Sequence, residues 1–115
     1  MKKIRVALIG QPNVGKSTLF NVLTKGSVIV TNWPGTTVSK TESTLKHRDY
    51  EIHLVDLPGV YGLTAYTIEE KISRNFIINE NPDVIIVLVD SLSLVRTLYL
   101  PLDILEFTKR VVIGL

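Results

Sequence analysis

The 115-residue chain contains no cysteine. That excludes disulfides, thiolate metal sites and cysteine nucleophiles together, and it suits a reducing compartment. Long hydrophobic runs are also missing. The longest, Val84 to Val89, falls far short of the roughly 20 residues a membrane helix needs. No signal peptide is legible, because Arg5 interrupts the first apolar stretch and Gly10 ends it. Direct membrane insertion of this segment is therefore not expected. No charge excess of one sign appears either: thirteen basic and eleven acidic side chains leave a net charge of +2. Only Lys2, Lys3 and Arg5 cluster, and three charges beside a strand read as a solvated edge, not as a nucleic-acid surface. Internal repeats, low-complexity tracts and Gly/Ser linkers are absent, so residues 1–115 read as one domain.

What is present is a 45% hydrophobic composition, enough for a packed α/β interior. At this length folding buries roughly two thirds of the chain's surface. Ile4 to Ile9 reads as a buried strand closed by Gly10, and Leu19, Phe20 and Leu23 set a helical face within Ser17 to Leu23 that Gly26 ends. Residues Ser27 to Ser39, with "NWPGTT", read as a turn-rich loop. Thr41 to Lys46 and Glu51 to Val55 alternate as a hairpin around His47 to Tyr50. A helix is predicted over Thr67 to Ile78 and a buried strand over Val84 to Val89. A second helix lies within Thr97 to Phe107, with Pro101 in its first turn or kinking it, and Val111 to Leu115 is a last apolar strand. Buried strands alternating with helices predict a mostly parallel sheet with helices on both faces. Ligands of such sheets sit at the carboxyl ends of the strands. The glycine turn after Ile9 and "DLPG" after Val55 both fall there, so two motifs point at one crevice.

In "GQPNVGKST", Gly10 and Gly15 let the backbone wrap a phosphate chain with its N–H groups inward, and the following helix offers its positive N-terminus. Lys16 reaches the β- and γ-phosphates and the Ser17 hydroxyl is the expected Mg²⁺ ligand. The middle glycine of a dinucleotide fingerprint is lacking. Asp56 reads as a second Mg²⁺ group acting through water, against the alternative of an ordinary strand-end turn. Gly59 offers an N–H to a γ-phosphate and lets the next segment move. In "TNWPGTT", Thr37 is the candidate switch threonine and Thr36 the alternative. Trp33 reads equally as a packed loop aromatic or a nucleotide contact. His47 and His53 lack a third ligand, so surface or cross-strand packing is expected of them. Adjacent Glu69 and Glu70 read as solvated or capping charges.

With phosphate loop, switch threonine and "DLPG" in order, the chain resembles GTPases of the translation-factor and Ras-like superclass. "NWPGTTV", "DLPGVYGLTAYTIEEKISRNFI", "PDVIIVLVD" and "LVRTLYLPLDILE" narrow this: the whole chain resembles the amino-terminal G domain of the FeoB family of ferrous iron transport proteins. The resemblance implies a Ras-like P-loop fold and GTP or GDP as ligand. It also implies a cytosolic module at the membrane's inner face, attached to a helical spacer and an Fe²⁺ permease. Carried onto matching positions, Gly10, Asn13, Val14, Gly15, Lys16, Ser17 and Thr18 hold phosphates. Trp33, Pro34, Gly35, Thr36 and Thr37 form one nucleotide-sensing loop, and Asp56, Leu57, Pro58 and Gly59 the other. Ser17, Thr37 and Asp56 surround Mg²⁺, and Asn13 holds a potassium ion. Lys16, Thr37, Gly59 and Asn13 are the expected catalytic group. Pro101 and "SLSLVRT" depart from the family's pattern on the far side of the domain.

Val60 stands where Ras-like enzymes carry a water-orienting glutamine. Valine has neither donor nor acceptor, so slow hydrolysis is expected. Two other readings stay open: a nucleotide-state switch acting through partner contact at residues 31–39 and 57–67, and an ATPase using the same phosphate loop. "RVVIGL" aligns with residues that lead into the guanine-reading Asn-x-x-Asp of the superclass. The segment is thus expected to stop before that motif and to be at most weakly active alone.

Overall fold

The computed structural model describes residues 2–11, 15–25, 27–60, 62–63, 67–89, 99–105, 108 and 110–114. Strand β1 (Lys2–Gly10) occupies an inner position of a six-stranded sheet, because its apolar run is buried on both sides. Val6 and Leu8 pack with Phe20 of helix α1 (Lys16–Thr24) on one face. Ala7 and Ile9 join the core on the other face, with Phe76, Ile77, Leu100 and Ile104. Helices therefore cover both faces, and the sheet order is β2-β3-β4-β1-β5-β6. Strands β4 (Tyr50–Asp56), β1, β5 (Val84–Leu88) and β6 (Val111–Gly114) are mutually parallel. Strand β3 (Ser39–His47) runs antiparallel to β4 through the expected hairpin, turned at Arg48 (φ 55°) and Asp49.

One expectation fails. Residues 27–39 are not all loop: Ile29–Asn32 form strand β2, antiparallel to β3. This edge strand is exposed at every position, so it carries no inward–outward alternation from which a strand could be read. The β2–β3 connection is closed by Trp33 N–H donating to the Val38 carbonyl at 2.9 Å.

Helix α2 (Ile68–Asn75) begins at Thr67, whose hydroxyl accepts from the Glu70 amide and donates to the Glu70 carboxylate, each at 3.1 Å. Glu70 is thus a capping charge, as its place in Thr-x-x-Glu implies. The last helical turn widens into a π-turn (Phe76–Glu80) that ends at Asn81 in the left-handed region, φ 45°. In helix α3 (Tyr99–Leu105), Pro101 sits in the first turn, where its missing N–H costs nothing. Leu100 and Ile104, four apart, are fully buried.

Candidate functional site

Strand β1 delivers the chain to Gly10 and Gln11, both buried, and α1 begins six residues after Gly10 at Lys16. Gly15, the residue before the helix, has φ 85°. A Cβ there would meet nothing within 4 Å, so the backbone angle and not crowding is what calls for glycine. Pro12, Asn13 and Val14 lie outside the described residues, so the potassium reading at Asn13 and the Val14 contact lie there too.

The start of α1 is electrostatically unusual. Among the described residues no side chain caps it, and its first turn holds no acidic residue. Instead Lys16 places a cation at the positive end of the helix dipole, an arrangement that favours a nearby anion. Here that anion is Asp56, the last residue of β4. Lys16 Nζ donates to Asp56 Oδ1, with the two side chains 11% and 15% exposed. Burial pushes the Asp56 pKa above the ordinary carboxylate value, opposed by the hydrogen bond and charge of Lys16. The pair joins the two motifs that sequence assigned to one crevice. The contact itself was not foreseen; a spacing of forty residues signals neither register nor reach.

The "DLPGV" segment is also tied to β1 through its backbone. Leu57 N–H donates to the Leu8 carbonyl at 2.9 Å, and Val60 N–H to the Gly10 carbonyl at 3.0 Å. These bonds set Pro58 and Gly59 beside the end of the phosphate-loop strand. Val60 is buried among the core side chains, which leaves no polar side chain at the glutamine position. Ser17 and Thr18 are exposed in the first turn of α1.

The first switch segment stands differently. Thr36 Oγ1 donates to the Trp33 carbonyl at 2.9 Å and accepts from Val38 N–H at 3.1 Å, so its hydroxyl closes the turn. Thr37 is exposed, as are Pro34 and Gly35, the last with φ 71°. Trp33 is a packed aromatic here: it is buried, with its ring edge-on to Phe76 at 5.7 Å. Among the described residues the Thr36 hydroxyl is engaged within its own turn, while Lys16 and Asp56 pair with each other.

Ser17 and Asp56 are hard oxygen donors of the kind Mg²⁺ takes. Among the described residues no group of three His, Asp or Glu side chains could enclose a metal by itself. One carboxylate and one hydroxyl fit an ion that completes its shell with phosphate oxygens and water. His53 bonds to Glu42 across strands at 2.8 Å, as cross-strand packing predicts.

The family described as ferrous iron transport protein B matches residues 4–115. The Fe(2+) transporter FeoB of Methanocaldococcus jannaschii is 52% identical over 106 residues, which are 92% of this chain and 16% of that protein. The FeoB of Escherichia coli K12 is 44% identical over 92% of this chain and 14% of its own length. The chain thus spans less than a fifth of these relatives. Among solved structures, the G domain of the T. maritima FeoB superimposes with a TM-score of 0.93 at 45% identity, over 96% of this chain and 70% of that one. The cytosolic domain of the same transporter in its GMPPNP form gives 0.90 at 45% identity, over 96% and 44%.

Proposed function

The chain belongs to the ferrous iron transport protein B family, and on that premise we propose that it binds guanine nucleotide with Mg²⁺ and slowly hydrolyses GTP. The observation that carries this reading is the uncapped start of α1, where Lys16 adds a cation to the positive helix end. A triphosphate supplies the anion that this end favours. The GDP and GMPPNP forms of the T. maritima relative support guanine nucleotide over adenine nucleotide.

In this reading Gly10 and the amides of Asn13 to Thr18 cradle the phosphates, and Lys16 exchanges Asp56 for phosphate oxygens. Ser17 and Asp56, with Thr37 from the β2–β3 turn, would hold Mg²⁺, which would supply positive charge to offset that of the phosphates. Asp56 is poised for that exchange, because burial already disfavours its charge and a cation beside it removes the penalty. Gly59 offers its N–H to the γ-phosphate. Catalysis is positional and electrostatic: Lys16 and the loop amides stabilise charge that develops on the transferred group. Val60 brings no polar side chain to the attacking water, so backbone groups, or a potassium ion that Asn13 would hold, would have to place it. Hydrolysis is then slow, which suits a timer.

The parent protein would use this domain at the cytoplasmic face of the membrane to gate Fe²⁺ passage. Its partners there would be the transporter's own helical spacer and permease. Among the described residues no helix is long and apolar enough to cross a membrane. The test is phosphate release from GTP and from ATP, with Mg²⁺, in the protein and in Lys16→Ala. GTP-dependent release that the substitution removes supports the proposal. Release from ATP alone, or release indifferent to Lys16, overturns it.

A further inference from the structure

We propose that the open edge of β2 is a docking surface for a second copy of this chain, the two β2 strands pairing antiparallel about a two-fold axis at Val30. Strand β2 ends the sheet and is paired on one side alone, by β3. Its register fixes which backbone groups face outward. Trp33 N–H donates to the Val38 carbonyl, so Trp33 and Val38 form a hydrogen-bonded pair. Such pairs alternate along an antiparallel ladder, so Thr31 with Lys40 and Ile29 with Glu42 are bonded as well. Val30 and Asn32 then turn their N–H and C=O away from β3, toward the open edge.

An edge of this kind is usually blunted by a charged residue, a proline or a bulge. Ile29–Asn32 has no charge and no proline, and its register with β3 runs without interruption. Its two apolar side chains stand in water, Ile29 64% and Val30 63% exposed. On a two-fold axis at Val30, each Val30 exchanges N–H···O bonds with the other, and Ile29 of each copy falls opposite Thr31 of the second. Both exposed apolar side chains are thereby covered, one on each face of the joined sheet. Charge agrees with this choice of partner. Glu42 lies beside Ile29 and Lys40 beside Thr31, so a row runs from Glu42 through Ile29 to Thr31 and Lys40 of the second copy. No like charges meet across the axis. A four-residue edge buries less than the roughly 1,200 Å² of stable complexes, so the dimer is reversible.

Sedimentation equilibrium of the purified protein, from about 10 µM to about 1 mM and without nucleotide, reads the association. Val30→Pro removes an outward N–H that β3 does not use, at an edge position where proline is tolerated. Val112→Lys is the control: it places a charge on β6, at the other end of the sheet, where Val112 is 54% exposed. The expected result is a monomer–dimer equilibrium. Its dissociation constant should rise at least about tenfold in Val30→Pro, which loses one N–H···O bond per copy, and stay within about twofold in Val112→Lys. Because the chain has no cysteine, Val30→Cys gives a second readout. It should crosslink to itself through a short bis-maleimide far faster than Val22→Cys, a comparably exposed position on α1. A monomer throughout the concentration range would overturn the proposal. So would a dimer that Val30→Pro leaves intact, or equal crosslinking at positions 30 and 22.

Discussion

Asp56→Asn should change nucleotide affinity in opposite directions depending on Mg²⁺. Without nucleotide, Asp56 holds the Lys16 ammonium in a pair whose side chains are 11% and 15% exposed. A charge-assisted hydrogen bond in such a place contributes about 1.5–3 kcal/mol, and the contact left by asparagine, from the same ammonium to a now neutral acceptor, is weaker by about 1 kcal/mol. With chelator present, a phosphate chain competing for Lys16 then gains about 1 kcal/mol, or roughly fivefold in affinity. Like-charge repulsion between Asp56 and the phosphates disappears as well, in the same direction. With Mg²⁺ present the carboxylate becomes an asset, and its loss should weaken binding by about tenfold or more. Titration of a fluorescent GTP analogue in EDTA and in Mg²⁺, for both proteins, gives the four constants needed. A change of the same sign in both buffers would refute the account of Asp56 as a group that trades Lys16 for metal.

Hydrolysis should run faster in K⁺ than in Na⁺, and Asn13→Ala should erase the preference; equal rates in the unmutated protein would exclude the cation at Asn13. Phe20→Ala, at a site only 1% exposed between α1 and β1, should cost about 3–5 kcal/mol in urea unfolding. Because the folded pKa of Asp56 is raised, its contribution to stability is fully present below its unfolded value of 3.8 and is lost as pH rises through the folded value. Relative to Asp56→Asn, the melting temperature of the unmutated protein should therefore fall as pH climbs from about 3.8; a rise would reverse the assigned cause.

Much of the fold was legible because its signals are local. The apolar runs of β1 and β5 fit only inner strands, and Thr67 to Glu70 announces a helix start. Pro101 implies either a first-turn position or a kink, and it sits in the first turn. What was illegible depends on partners distant in sequence. Strand β2 pairs on one side only and is exposed throughout, so nothing in Ile29–Asn32 distinguishes it from loop. Trp33 could be read as core or as ligand contact, and only the approach of Phe76 from the π-turn makes it core. At the site, residue types named the chemistry, but the Lys16–Asp56 contact needed the β1–β4 register that sets Leu8 beside Asp56. Sequence favours Thr37 over Thr36 as the switch threonine but does not show what either hydroxyl does; in the fold the Thr36 hydroxyl closes its own turn and Thr37 is exposed.

The central claim is that Lys16, at the uncapped start of α1, is the group that binds phosphate. Its most direct test is the affinity of a fluorescent GTP analogue for Lys16→Ala beside the unmutated protein, in Mg²⁺, with circular dichroism to verify that the fold survives. The ammonium makes charge-assisted contacts worth about 1.5–3 kcal/mol each, so two of them predict a loss of at least about a hundredfold. Affinity within a factor of about three of the unmutated protein, in a folded variant, would contradict the account.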